Sequence, residues 1–127
     1  MKLNFLRTTM LVLMIAMMAS CGLAKPSPSN VVKTFFRDVE AGKIQKATNF
    51  YSDELFQRVE RNRVFSILSR QTRVMEQKGG IKSIDTTENI SGDLAKVKFV
   101  LAYNDDSTEK GIMDMIKVNG HWKMLLD

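Results

Sequence analysis

The hydrophobic residues change their spacing along the chain. Met10 to Ala19 is an unbroken apolar run, residues 30 to 78 carry apolar positions every three or four residues, and from Ile81 onward apolar and polar residues alternate. A period near 3.6 places side chains on one face of a helix, and a period of two places them on one face of a strand. The chain therefore reads as helices first and strands afterwards. Val31, Val32, Phe35, Phe36 and Val39 predict a first helix, N-capped by Ser29 or Asn30 and terminated at Gly42. A shorter second helix, about Lys43 to Tyr51, presents Ile44, Ala47, Phe50 and Tyr51. A third, about Glu54 to Lys78, is less regular. Its early apolar residues Leu55, Phe56 and Val59 lie on a different azimuth from Val64, Ile67, Leu68 and Met75, which predicts a bend near Asn62 before Gly79-Gly80 stops it.

The alternating part predicts a weak strand from about Ile81 to Ile90, a Ser-Gly-Asp turn, and a strong strand in which Ala95, Val97, Phe99, Leu101 and Tyr103 share a face. A polar loop from Asn104 to Thr108 leads to two further strands, about Lys110 to Val118 and His121 to Leu126, joined by Asn119-Gly120. Both central residues of a type I′ turn need positive φ, which Asn-Gly supplies, and the two-residue loop fixes the register. Val118 then faces His121, Lys117 faces Trp122, Met115 faces Met124 and Met113 faces Leu126. One face carries Met113, Met115, Trp122, Met124 and Leu126, and it is the face expected to pack on the helices. The order of elements gives an α+β class, with N-terminal helices on one face of a curved antiparallel sheet of about four strands.

The first apolar run has a different meaning. It follows Lys2 and Arg7 and ends at Ser20, directly before Cys21, which is the layout of a secretory signal peptide over residues 1–20. A membrane-spanning helix needs about 20 apolar residues, twice the length of this run. Cys21 is the only Cys in the chain, so an exported form has no disulfide partner for it. Met18-Ala19-Ser20-Cys21 resembles a lipobox, which implies that Cys21 carries the acyl chains of a bacterial lipoprotein. Two or three such chains make attachment effectively permanent. Removing residues 1–20 leaves 107 residues, one domain's worth. It also removes two cations, so 17 basic residues stand against 14 acidic ones and the net charge falls from +5 to +3. That bias, with no aromatic-interleaved basic patch, makes no case for nucleic acid. Residues 21–29 read as the lipidated Cys and a flexible linker, Gly-Leu-Ala-Lys-Pro-Ser-Pro-Ser reaching about 25 Å, and residues 30–127 as the folded domain.

The segment from Val31 to Tyr51, an aromatic-rich helix followed by Gly42 and a short helix containing Ala47, resembles the opening helix pair of the NTF2-like superfamily. Val118-Asn119-Gly120-His121-Trp122-Lys123 resembles its last hairpin. With a lipidated N-terminus the whole is similar to DUF4878-type small bacterial lipoproteins. The resemblance implies a cone-shaped domain that often dimerises or binds through its sheet. It also implies, for isomerase-type members, a Tyr donor at the position of Phe35 and a base just after the second helix, where this chain has Leu55 to Val59. Neither half of that proton-transfer machinery carries over.

Among the remaining candidates Asp114 is flanked by apolar residues in Ile-Met-Asp-Met-Ile, and the favoured expectation is that it points outward beside Lys123. The competing one places it in the cone with Tyr51 or Tyr103 as donor, giving a cofactor-independent isomerase- or dehydratase-like enzyme. His121 has no second His or Cys with which to share a metal. Trp122 opposite Lys117 suggests a cation-π contact or ligand platform, although core is the expectation. Met113 and Met115 are candidate pocket residues. Arg58, Arg61, Arg63, Arg70 and Arg73 form a solvated face on the third helix. The expected function is a membrane-anchored, non-catalytic module without metal or cofactor, binding a small apolar ligand, an envelope protein or a second copy. Gly22 in place of Asp after the Cys points to the outer membrane, facing the periplasm.

Overall fold

A computed structural model describes residues 26–126. The predicted signal segment, Cys21, residues 22–25 of the predicted linker and Asp127 lie outside the described residues.

The first helix, α1, spans Pro28–Glu40, beginning two residues before the predicted domain boundary. Its N-cap is Ser27, not Ser29 or Asn30: the Ser27 Oγ accepts the Asn30 N–H at 3.2 Å and Pro28 occupies the first turn. Proline suits that position because its missing N–H would have no intrahelical partner there. The predicted stripe of Val31, Val32, Phe35, Phe36 and Val39 is buried. Burying such side chains contributes about 1.5–3 kcal/mol each, which is why this helix is seated firmly on the sheet. Helix α2 covers Ile44–Thr48, shorter than predicted. The chain after it pairs instead with the last strand, with Ser52 N–H donating to the Met124 carbonyl at 2.9 Å and Met124 N–H to the Phe50 carbonyl at 2.8 Å.

The predicted third helix is two helices, α3 at Leu55–Arg58 and α4 at Arg61–Gln77. The interruption falls at Val59 and Glu60, both extended, and not at Asn62. A break lets two stripes of different azimuth reach one core: Leu55, with Phe56 and Val59 packed beside it, and Val64, Leu68 and Met75. Helix α4 packs on α1 and α2, and the Thr72 hydroxyl donates to the Val39 carbonyl at 2.6 Å.

Four strands, β1 (Ile81–Ser91), β2 (Leu94–Tyr103), β3 (Thr108–Val118) and β4 (His121–Met124), form an antiparallel meander in chain order. The predicted inward face of β2, Ala95 to Tyr103, is buried at every second residue. Asn119 and Gly120 have φ of 52° and 80°, as the type I′ turn requires. The register follows: Val118 pairs with His121, Lys117 with Trp122 and Met115 with Met124. The extrapolated pair of Met113 with Leu126 does not form. The strand ends at Met124, and Leu126 is exposed rather than core.

The interior is aromatic. Phe35 meets Phe36 and Tyr51 edge to face at 5.2 and 5.5 Å, and Phe36 meets Phe99 at 4.8 Å. Phe99 lies across the strand pair from Gly111, where a Cβ would stand 2.5 Å from its Cζ. Only glycine leaves room for that ring.

Candidate functional site

Strand alternation sorts the sequence candidates onto two faces. In the β2–β3 register Ala95 pairs with Met115 and Val97 with Met113 on the inner face, while Leu94 pairs with Ile116, Lys96 with Asp114 and Lys98 with Ile112 on the outer face. Asp114 thus points outward, as favoured, but its partner is Lys96 at 3.0 Å rather than Lys123. The Lys123 ammonium instead donates to the Asn49 carbonyl at 2.8 Å.

The two tyrosines lie on the inner side. Tyr51 is buried against Phe35, and burial raises its phenol to a pKa of about 12. Tyr103 is fully buried and its hydroxyl donates to Glu109 at 2.8 Å. Burial, that hydrogen bond and the negative charges of Glu109, Glu40 and Asp105 push its phenol above the ordinary tyrosine range. The sheet separates both hydroxyls from Asp114. Among the described residues, the groove that holds Asp114 contains neither Tyr51 nor Tyr103, so the carboxylate and a phenol are not brought together for proton transfer.

Trp122 is a core residue, with the Lys117 ammonium 5.7 Å from its ring centroid, so the predicted cation-π contact and the predicted burial coexist. Met115 is buried and Met113 packs against the core. His121 is exposed beside the hairpin turn. Of the arginines predicted to form a solvated face, Arg58 pairs with Glu54 at 3.3 Å and Arg61 stacks 4.0 Å above the Phe56 ring. Among the described residues no cluster of His, Cys, Asp and Glu has the composition to hold a metal ion, and no helix is long and apolar enough to cross a membrane.

The feature that sequence reasoning missed is a groove of about 430 Å³ on the outer face, lined by Asn89, Ser91, Leu94, Ala95, Lys96, Asp114, Met115 and Leu125. Leu94, Ala95, Met115 and Leu125 give it apolar walls, and Asn89, Ser91 and the Lys96–Asp114 pair give it polar groups, the composition expected of a binding groove. Nearby, Leu94 and Ile112 are 56% and 59% exposed. The available signal was the outward register of β2, where Leu94 and Val100 alternate with Lys96 and Lys98.

A helical layer on a curved four-stranded antiparallel meander is an α+β architecture, and its fold is NTF2-like. Comparison with solved structures supports that class: the chain is similar to a Campylobacter jejuni protein, provisionally described as an NTF2-like transpeptidase, whose crystal structure was solved at 2.00 Å resolution. The TM-score is 0.70 at 21% sequence identity, over 80% of this chain and 100% of that one. At that identity the likeness shows the fold. No family model matches the chain, and no curated protein matches it.

Proposed function

We propose that the chain is a bacterial lipoprotein, held through acyl chains on Cys21 in the outer membrane and facing the periplasm, whose NTF2-like domain is a non-catalytic binding module. The ligand, a small molecule with an apolar body or a segment of an envelope protein, occupies the outer sheet face beside Lys96 and Asp114. The observation that carries this reading is the sorting of faces: Asp114 is engaged by Lys96 outside the sheet, while Tyr51 and Tyr103 are inside it. The transpeptidase description of the structural neighbour adds no chemistry here. Acyl transfer needs an activated nucleophile beside a base. The only Cys precedes the domain, and the only His sits exposed at a hairpin end.

Two measurements test the proposal. Wild-type protein expressed in a Gram-negative cell fractionates with membranes and incorporates labelled palmitate, whereas Cys21→Ala does neither; equal labelling of both removes the anchor. Native mass spectrometry of the membrane-purified protein yields a retained small molecule or a bound protein, and Leu125→Ser with Lys96→Glu reduces its occupancy. A bare monomer from every preparation removes the binding module, and a symmetric dimer would assign the face to a second copy.

A further inference from the structure

Three exposed aliphatic side chains lie at one end of the sheet, Leu94 and Val118 on its outer face and Ile90 on the face of Ala95. Ile90, Leu94 and Val118 are 48%, 56% and 43% exposed. Ile90 and Leu94 flank the β1–β2 turn, and Val118 opens the β3–β4 turn. The two turns are held together because Lys117 N–H donates to the Asp93 carbonyl at 2.7 Å. The same end receives the start of α1, where Ser29 N–H donates to the Glu88 carboxylate, two residues from Ile90, at 2.9 Å. The helix N-terminus and the apolar rim are therefore fixed to each other through β1.

The chain leading into that helix is short. Five residues separate Cys21 from the cap Ser27, and the six steps between them span at most about 20 Å when fully extended. If Cys21 is lipidated, the part of the domain that must lie nearest the bilayer is the end that carries Ile90, Leu94 and Val118. Exposed aliphatics on turn tips are costly in water and favourable in the headgroup–acyl boundary, where adhesion scales with the apolar area buried. The charges at this end do not dominate: Lys96 is paired with Asp114, Lys117 lies over Trp122, and Asp93 sits in the β1–β2 turn.

We infer that this rim is a membrane-docking surface: Ile90, Leu94 and Val118 rest in the interface of the bilayer to which Cys21 is attached, giving the domain a fixed orientation rather than a free tether. The inference rests on the proposed lipidation. Docking of this kind is apolar in origin and weakly dependent on salt.

The test is hydrogen exchange of the membrane-purified protein in vesicles of phosphatidylethanolamine and phosphatidylglycerol, compared with Cys21→Ala free in solution. Where Cys21 emerges without acyl chains, its thiol is coupled to a maleimide-headgroup lipid. A failed anchor therefore does not remove the measurement, and the two ideas fail separately. The expected result is exchange slowed about threefold or more at residues 88–95 and 117–121, insensitive to salt, with α4 unchanged. An Ile90→Ser, Leu94→Ser, Val118→Ser variant, its fold verified by unchanged Trp122 emission, loses that protection. Equal exchange on and off vesicles overturns the inference, as does protection that survives the triple substitution. Protection confined to native envelope membranes would assign the rim to a protein and overturn it as well.

Discussion

Gly111→Ala is the sharpest test of how the interior is built. Adding a methyl group to a strand glycine ordinarily stabilises by about 0.5–1 kcal/mol, because glycine loses more backbone entropy on folding. Here the new Cβ would stand 2.5 Å from Phe99 Cζ and 2.8 Å from its Cε1. The Phe99 ring has little room to retreat, since Phe36 lies 4.8 Å away, centroid to centroid, on its helix side. Overpacking of a filled core costs about 1–3 kcal/mol. The strain outweighs the entropic gain, and the expected net change is a destabilisation of about 1–2 kcal/mol, or about 5–15 °C in Tm for a domain of this size. Urea unfolding followed by the fluorescence of Trp122, the only tryptophan and a buried one, measures it directly. Because the cost is assigned to one ring, Phe99→Leu should relieve it. The double-mutant cycle is expected to show coupling of at least about 1 kcal/mol in the relieving direction. A neutral or stabilising Gly111→Ala, or a cost unchanged in the Phe99→Leu background, would refute the packing.

The tyrosines predict the alkaline limit of the fold. Tyr51 has its phenol raised from 10.0 to about 12 by burial, so the folded state holds a proton that the unfolded chain releases near pH 10. The stability linked to it is intact below that pH and is lost as pH rises toward 12, at up to about 1.4 kcal/mol per pH unit for each buried phenol. Urea midpoints measured across this range should fall, and less steeply in Tyr51→Phe; phenolate absorbance appearing near pH 10 in the folded protein would contradict the burial. Asp114→Asn breaks the pair with Lys96, whose side chain is 70% exposed, and at such a site the expected cost is under about 1 kcal/mol by urea unfolding. A larger loss would mean that the pair is structural and not a solvated lip of the groove.

The legible parts of the fold were those set by local rules. The α1 stripe and the Asn119-Gly120 hairpin came through residue by residue, because helical periodicity and a two-residue turn each determine geometry without reference to distant chain. The errors lie where distant chain decides. The Lys-Pro-Ser-Pro-Ser segment has linker composition, yet Ser27 and Pro28 are a cap and a first turn, since proline is favoured at that one helical position. The break at Val59–Glu60 was displaced from Asn62 because the demand of two stripes for one core sets it, and no residue there is a helix breaker. Lys96 went unrecognised as the partner of Asp114 because the longer β2–β3 connection does not fix a register from sequence. In the register that formed, Asp114 is met by Leu125, just past β4, whose N–H donates to its carbonyl at 2.8 Å, and Lys123 pairs with Ile116. The groove was invisible for the same reason: it exists only once β1, β2, β3 and Leu125 are aligned.

That alignment also bears on where function resides. In a cone-shaped domain that works from its interior, the space between helix and sheet must stay open to a ligand and present polar groups to it. Here Phe36, Phe99, Tyr51 and Tyr103 occupy that space, Gly111 is held to a bare backbone so that Phe99 fits, and the Tyr103 hydroxyl is spent on Glu109. A side chain packed that closely has no capacity left for a substrate. The exposed apolar groups lie outside that space: Leu94 and Ile112 on the sheet, Ile90 and Val118 at its rim, Phe65 and Ile67 on α4, and Leu126 after β4. Ile90, Leu94 and Val118 lie at the end of the sheet that receives α1, so under the proposed lipidation of Cys21 the bilayer is the first surface against which a contact of theirs should be sought.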